Sequence, residues 1–408
     1  MALAAIVVAI LSIPAVFVVA PAIALALLAA CVVTFVATGR ASLGADPVRR
    51  EVPAPQRSVA MSARVAIDEA VLAGQSFLVS RPPSAEIERT RRELDATREL
   101  FQRRGWSTDP AAYHRDPPPL TQPTLQVKRL RQGRRAIVYE ELSFQSEYEP
   151  HADEPGRERW LGYAANRTGH AVVLRHAGEP RPWLVCIHGY FMGNTRFGLW
   201  LFDAFRLHRR LGINVILPVL PFHGSRKTGR FSGEGFLGGS VVDTVHAEAQ
   251  SVWDLRRLLG WIRARRAPSI GVHGVSLGGY NAALLAGIDD DLSCVIAGVP
   301  PVDLARLVWT HAAPAVVGSL ERAGIVRDEV TELYRVVSPL AFEPKIPVAR
   351  RAIYAGIGDR LVSADHPRDL WEHWGRPRIV WTQGGHDPRT PEARRLVDDT
   401  LRASRIVG

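Results

Sequence analysis

Short apolar runs alternate with longer amphipathic stretches through the second half of the chain. The apolar runs predicted to be buried strands are residues 182–187, 213–217, 269–273, 295–299, 351–355 and 378–382. Residues 241–265 instead carry apolar side chains at helical spacing, which predicts a long helix with a buried stripe formed by Val245, Val252, Leu255 and Leu259. This alternation predicts an α/β fold with a mainly parallel sheet and helices on both faces.

The segment before the predicted sheet has a mixed character. Prolines at positions 53, 55, 82 and 83 discourage long regular structure around residues 40–80. Residues 84–104 are rich in Glu and Arg at helical spacing, with Ser84 as a candidate N-cap and Gly105 as a candidate stop. We therefore interpret residues 40–134 as a connector that contains one charged helix.

The N-terminal residues 2–39 contain no charged side chain and are almost wholly apolar. One helical span needs about 20 apolar residues, so this stretch is long enough for two. It is predicted to be a transmembrane segment, either a helical hairpin that turns near Pro21 or one long tilted span with a kink. A cleaved signal peptide fits less well, because no Lys or Arg precedes the stretch. Residues 28–31 have the form of a lipoprotein cleavage box, so lipidation of Cys31 is a further alternative.

Positive charge follows this apolar stretch and none precedes it. Arginines stand at positions 40, 49, 50, 57 and 64, so positive-inside bias predicts that the rest of the chain lies on the cytoplasmic face of a membrane. The formal net charge of +10 agrees with attraction to anionic lipid headgroups. The basic run at residues 128–135 either makes that contact or forms a solvated face without a function. No nucleic-acid partner is expected, since no groove-reading motif accompanies the charge.

A G-x-S-x-G sequence, Gly274-Val275-Ser276-Leu277-Gly278, stands between an apolar run and a segment of small residues. In a strand-turn-helix setting this pattern forms a nucleophile elbow, which exposes the serine hydroxyl at the end of the sheet. The two glycines keep Cβ atoms out of the bend. Ser276 is therefore the candidate nucleophile.

Other chemically capable residues follow neighbouring predicted strands. His188-Gly189-Tyr190 ends the run at residues 182–187, Asp359 follows the run at 351–355, and His386 follows the run at 378–382. Loops at the carboxyl ends of strands in an open α/β sheet meet at one crevice. A serine hydroxyl becomes a good nucleophile only when a hydrogen-bonded base takes its proton, so the three side chains are expected to act together.

These motifs resemble those of the α/β-hydrolase superfamily of serine hydrolases, over about residues 135–408. The resemblance implies that Ser276 is the nucleophile and that His386 is the general base and acid. It implies further that Asp359 orients the histidine and stabilises its charged form.

Three structural expectations come with this resemblance. The backbone N–H groups of Leu277 and Tyr190 would form the oxyanion hole. Residues 136–144 and 171–175 would form an antiparallel edge of the sheet. The insertion at about 301–348 would be a helical lid, in which case its apolar side chains line an acyl pocket, or it would pack on the domain's own core. Those side chains are Trp309, Val316, Val317, Leu320, Ile325, Leu333 and Tyr334.

The triad acid has alternatives. Asp303 follows the run at residues 295–299, where some branches of the superfamily carry their acid. Asp365 is a further rival, and Asp387 is too close to His386 along the chain to reach its ring comfortably. Asp359 remains the preferred assignment.

Three other histidines are expected to be structural. His188 would fix its own loop, His223 would belong to a structured turn, and His273 would be a hydrogen-bonded histidine within a strand. No metal or organic cofactor is implied, because the chain lacks H-E-x-x-H, C-x-x-C, Walker and EF-hand sequences.

The sequence thus predicts a membrane-associated serine hydrolase that cleaves carboxylic esters, with lipid or lipophilic esters as the leading substrates. An acyltransferase or thioesterase that uses the same triad is one alternative. A catalytically silent membrane scaffold is another. The sequence does not predict an oligomeric state.

Overall fold

A computed structural model describes residues 21–45, 50–78, 83–132 and 135–407 of the 408-residue chain. Its described residues contain a nine-stranded sheet in the order β1-β2-β3-β5-β4-β6-β7-β8-β9. The strands are β1 (Thr124–Gln132), β2 (Arg135–Gln145), β3 (Thr168–Leu174), β4 (Trp183–Ile187), β5 (Asn214–Val219), β6 (Ile270–Val275), β7 (Cys294–Gly298), β8 (Arg351–Gly356) and β9 (Arg378–Thr382).

The sheet has an antiparallel part and a parallel part. Strands β1, β2, β3 and β5 pair in antiparallel fashion, whereas β5, β4, β6, β7, β8 and β9 pair in parallel. Two of the antiparallel strands, β2 and β3, are those expected at this edge, and β1 adds a strand that the sequence did not predict. The predicted fold class, a mainly parallel sheet with helices, is therefore confirmed.

Helices connect and cover these strands. They are α1 (Pro21–Ala45), α2 (Val59–Leu78), α3 (Ser84–Arg104), α4 (Arg157–Gly162), α5 (Thr195–Leu201), α6 (Glu234–Leu237), α7 (Val241–Arg263), α8 (Leu277–Ile288), α9 (Leu304–His311), α10 (Pro314–Arg322), α11 (Arg327–Leu333), α12 (Asp365–His373) and α13 (Pro391–Ala403).

Two hydrophobic cores lie on opposite faces of the sheet. On one face α7 and α8 pack on the strands, and the predicted stripe of α7 is buried there. On the other face α5 and α13 contribute Leu199, Leu396 and Leu401. The parallel strands are buried along their whole length, as in Trp183–Ile187 and Ile270–Val275, because helices cover both faces.

The apolar N-terminal stretch is described from Pro21 onward as the continuous helix α1. Within it, Leu27–Gly44 has a mean hydropathy of 1.6 and is the one described helix long and apolar enough to cross a membrane. Val32 and Val33 are exposed on its surface, and Cys31 lies inside it. Such a helix fits a membrane anchor or a signal sequence. The first arm of the predicted hairpin, residues 1–20, lies outside the described residues.

The expectation that residues 40–80 lack long regular structure is wrong. Residues Val59–Leu78 form the helix α2. The prolines used for that expectation stand before and after this helix rather than inside it, so they bound it instead of breaking it. Met61 and Val65 of α2 are buried against Leu43 of α1 and Ile357, which fixes this helix pair to the main domain.

The charged helix α3 is present as predicted over residues 84–104. Gly105 ends it in the left-handed conformation, with φ 76°. Ser84 is the first helical residue and its side chain makes no capping hydrogen bond; Pro83 occupies the N-cap position. The helix buries Leu94 and Leu100 in the larger core, so it is part of the packed domain.

Candidate active site

Ser276 lies at the sharp turn between β6 and α8. Its backbone has φ 57° and ψ −121°, a strained conformation that persists only where the surroundings enforce it. The Ser276 N–H donates to Gly298 O of β7 at 2.8 Å. A Cβ on Gly274 would overlap the backbone of Gly278, and one on Gly278 would overlap Ile187 O. The two glycines of the motif therefore allow the elbow to bend and to press against β4.

The His188-Gly189-Tyr190 turn lies directly beside this elbow. A Cβ on Gly189 would lie 3.0 Å from the Ser276 Cβ. Leu277 is the first residue of α8, so its N–H has no acceptor within the helix. The structure thus brings together the elements that carry both oxyanion candidates, Leu277 and Tyr190, at the serine.

Asp359 and His386 form a buried hydrogen-bonded pair. His386 Nδ1 lies 2.7 Å from Asp359 Oδ2, and the side chains are 9% and 2% exposed. The N–H groups of Leu361 and Val362 donate to Asp359 Oδ1 at 2.9 and 2.8 Å. Because Nδ1 carries the proton shared with this carboxylate, Nε2 of His386 is left free to accept a proton from a nucleophile.

The charge around His386 favours its protonated form. Burial by itself lowers the pKa of His386, but the charge of Asp359 and the hydrogen bond to it raise that pKa, and Asp68 and Asp387 add to the effect. The net result is a pKa above the ordinary value of 6.5.

Glycines bring the histidine loop back over the sheet. The Gly358 N–H donates to Gly384 O at 3.0 Å, and a Cβ on Gly356 would overlap Gly385 O. The loop after β9 therefore folds across the end of β8. This places His386 next to the acid that follows β8.

The rival acids have other partners. Asp303 is the N-cap of α9 and accepts the Arg306 N–H at 2.8 Å. Asp365 forms an ion pair with Arg368 at 3.2 Å. Asp387 accepts the Arg389 N–H at 2.9 Å. Among the four candidates, Asp359 is the carboxylate that bonds the imidazole ring of His386.

The three histidines expected to be structural make hydrogen bonds within the fold. His188 Nδ1 donates to Gly189 O at 2.8 Å and its Nε2 accepts the Leu220 N–H at 3.1 Å. His273 Nε2 lies 3.0 Å from Tyr354 Oη. Burial lowers the pKa of His188 to about 4 and that of His273 to about 3. The fully buried His223 donates from Nδ1 to Pro221 O at 2.8 Å.

Two proteins of known sequence are similar to almost the whole chain. The "Uncharacterized protein MT2702" of Mycobacterium tuberculosis is 42% identical over 377 residues, which cover 90% of this chain and 87% of that protein. The "Uncharacterized protein Rv2627c" from a second strain of that species is 41% identical over 377 residues, with the same coverage. The chain belongs to the family of these two proteins. No protein-family model matches it.

A solved structure shares the fold of this chain. It is an acetyl xylan esterase from Paenibacillus sp. R4, with a TM-score of 0.50 and 15% identity. The match covers 74% of this chain and 99% of that structure. At this identity the likeness shows the fold alone, and that fold is the α/β-hydrolase fold.

One residue at the site, Asp68, was not predicted from the sequence. Asp68 of α2 is 6% exposed and accepts the His386 N–H at 2.8 Å. A signal for it exists, because Met61, Val65 and Asp68 fall at i, i+4 and i+7 and so share one face of a helix. A carboxylate on a buried helical face requires a polar partner.

The insertion at about 301–348 contributes α9, α10 and α11. Ile325, Leu333 and Tyr334 are buried in the larger core, and Trp309 and Leu320 pack at its edge. For these five side chains the structure therefore agrees with packing on the domain's own core rather than with lining an acyl pocket. Val316 and Val317 of α10 remain partly exposed.

Proposed function

We propose that this protein is a membrane-associated serine hydrolase that cleaves carboxylic esters through an acyl-enzyme on Ser276. The observation that supports this best is the 2.7 Å hydrogen bond between His386 and Asp359, at the same edge of the sheet as the strained serine turn. Lipid or lipophilic esters are the proposed substrates.

The proposed reaction uses the parts described above. The Ser276 hydroxyl oxygen attacks the ester carbonyl carbon while its proton passes to His386 Nε2. The N–H groups of Leu277 and Tyr190 hydrogen-bond the resulting oxyanion; the loss of one such donor typically costs about a hundredfold or more in rate. The tetrahedral intermediate expels the alcohol, which takes the proton from His386. Water, deprotonated by His386, then attacks the acyl-enzyme. The second tetrahedral intermediate breaks its bond to Ser276 Oγ, which takes the proton back from His386 as the carboxylic acid leaves.

Labelling with a fluorophosphonate tests the reaction class. This probe phosphonylates an activated serine, so we expect the wild-type protein to be labelled and Ser276→Ala to be unlabelled. Labelling is measured as fluorescence of the intact band after electrophoresis, with heat-denatured protein as a background control. A folded wild-type protein that stays unlabelled would favour the silent scaffold instead.

The position of the apolar helix supports a lipophilic substrate. Leu43, near the end of α1, is buried with Met61 and Val65 of α2. Side-chain atoms of all three would contact a Cβ placed on Gly358, the residue directly before Asp359. As a membrane tether, α1 would hold the candidate acid close to the bilayer from which a lipid ester would come.

A chain-length series of aryl and glyceryl esters tests the substrate class. We expect kcat/KM to rise with acyl length, by up to about fourfold for each methylene that becomes buried, and to rise further when the ester is presented in detergent micelles. Ser276→Ala corrects for hydrolysis without the enzyme. A strong preference for short soluble esters would contradict the lipid substrate and leave the reaction class standing.

A further inference from the structure

Helix α2 reaches the two loops that carry the candidate acid and base. A single oxygen of Asp68, Oδ2, accepts the His386 N–H at 2.8 Å and the Arg360 N–H at 3.1 Å. Arg360 directly follows Asp359. One carboxylate oxygen therefore joins the histidine loop to the acid loop, through backbone atoms whose positions decide where the two side chains lie.

Both loops pack closely against α2 around Asp68. A Cβ on Gly385 would overlap the Asp68 carboxylate, so glycine at this position lets the carboxylate approach the chain. Arg64 donates to Gln383 O at 3.1 Å, and Glu69 pairs with the Arg360 side chain at 2.9 Å. The same helix thus holds both loops at several points, and Asp68 is the point that touches both at once.

We propose that Asp68 is a positioning residue of the active site, whose carboxylate fixes the loops of Asp359 and His386 relative to each other and adds negative charge beside the histidine. This inference rests on the proposed function. With this role for Asp68, α2 contributes a residue to the active site, although the helix precedes the hydrolase fold in the chain.

The charge of Asp68 has a definite effect on His386. Burial, and after it the charge of Asp359, raise the pKa of Asp68 to about 7, while the charge of His386 and the two backbone hydrogen bonds oppose that rise. The other charged or titratable groups that face this cluster are Asp387, Arg64, Glu69, Arg360 and His311. The ionised Asp68 raises the pKa of His386, so its removal lowers that pKa.

Two substitutions separate the hydrogen bonds from the charge. In Asp68→Asn the side-chain oxygen can still accept the hydrogen bonds of both N–H groups, but the negative charge is lost. Asp68→Ala removes the acceptor oxygen as well as the charge. Because a misplacement of about 1 Å can cost about a hundredfold in rate, we expect Asp68→Ala to lower kcat by about ten- to a hundredfold with little change in KM. Asp68→Asn should keep most of the rate while the acidic limb of its kcat/KM profile moves to lower pH, because the charge that raises the pKa of His386 is gone.

The measurements are the fluorophosphonate labelling rate, ester kinetics from pH 5 to 9, and an NMR titration of the His386 ring in wild type and Asp68→Asn. Asp153→Asn is the matched control: it removes a carboxylate that pairs with Arg104 at 2.8 Å, with side chains 38% and 51% exposed, and should leave both the rate and the acidic limb of the pH profile unchanged. The titration reports on Asp68 even in an inactive protein, so an unlabelled wild type would overturn the proposed function alone. Labelled wild type with an Asp68→Ala rate equal to it, or an unshifted titration in Asp68→Asn, would overturn the role of Asp68.

Discussion

Asp359→Asn is expected to lower kcat/KM for esters by about four orders of magnitude, the loss seen when a triad acid is replaced by its amide. Asp359 Oδ2 accepts a hydrogen bond from His386 Nδ1–H at 2.7 Å. An asparagine at this position can turn its NH2 group toward Nδ1, which then becomes an acceptor and leaves the proton on Nε2. A histidine in that tautomer cannot take the proton of Ser276.

The pH profile should change in the same variant. Protonated His386 cannot act as a base, so wild-type activity is lost as the pH falls through a pKa that lies above the ordinary value. Without the Asp359 charge that pKa falls, so the residual activity of Asp359→Asn should persist to lower pH than the activity of the wild type. Steady-state kinetics from pH 5 to 9 measure both effects.

Asp303→Asn and Asp387→Asn are the matched controls for this experiment. Asp303 is engaged in capping α9, and Asp387 accepts the N–H of Arg389. We expect kcat/KM to stay within about tenfold of wild type in both, since neither carboxylate bonds the imidazole. A loss of four orders in Asp303→Asn, with Asp359→Asn nearly normal, would make Asp303 the acid and contradict the assignment.

The sequence predicted the parts of the site that depend on local chain geometry. The glycines of the Gly274–Gly278 motif permit a bend that side chains would block, so the sequence alone marks the position of Ser276. Asp359 and His386 could be located because each follows a short apolar strand, and parallel strands end at a common edge. In these cases the position of a residue follows from the strand or turn in which it lies.

The sequence could not predict contacts between distant segments. The hydrogen bond from His386 to Asp68 joins residues 318 positions apart, and no motif accompanies the carboxylate. The strand β1 was missed for a different reason. Its exposed Arg129 and Arg131 conceal the alternation of a strand, although such charges are typical of sheet edges because they discourage pairing with another chain.

A buried ion pair holds the loop that follows β5. Arg226 and Asp254 of α7 lie 2.9 Å apart, with side chains 1% and 7% exposed. Arg226 also donates to Val219 O and Asn166 O, at 3.0 and 2.8 Å. The Ser146 hydroxyl donates to Asp254 at 2.5 Å. These contacts offset much of the cost of burying two charges, although Arg226 Nε and Asp254 Oδ2 have no hydrogen-bond partner among the described residues.

This loop also contacts the turn that carries Tyr190, the candidate oxyanion donor. Leu220, six residues before Arg226, donates its N–H to His188 Nε2 at 3.1 Å, and His188 begins the turn that contains Tyr190. A variant that frees the loop should therefore disturb the site as well as the fold. Loss of the ion pair is expected to slow fluorophosphonate labelling even under conditions where the protein remains folded.

Asp254→Ala is expected to lower the free energy of unfolding by about 3–5 kcal/mol, because it leaves the Arg226 charge buried without a partner. Urea unfolding of the detergent-solubilised protein measures this loss, as the change in the product of midpoint and m-value. Asp399→Ala is the control: its pair with Arg378 has the same 2.9 Å separation but side chains 42% and 54% exposed, so its loss should cost no more than about 1 kcal/mol. Replacing both buried partners, with Arg226→Met and Asp254→Leu, should restore much of the stability, since no charge is then stranded. Equal losses in Asp254→Ala and Asp399→Ala would show that the buried pair does not hold this loop.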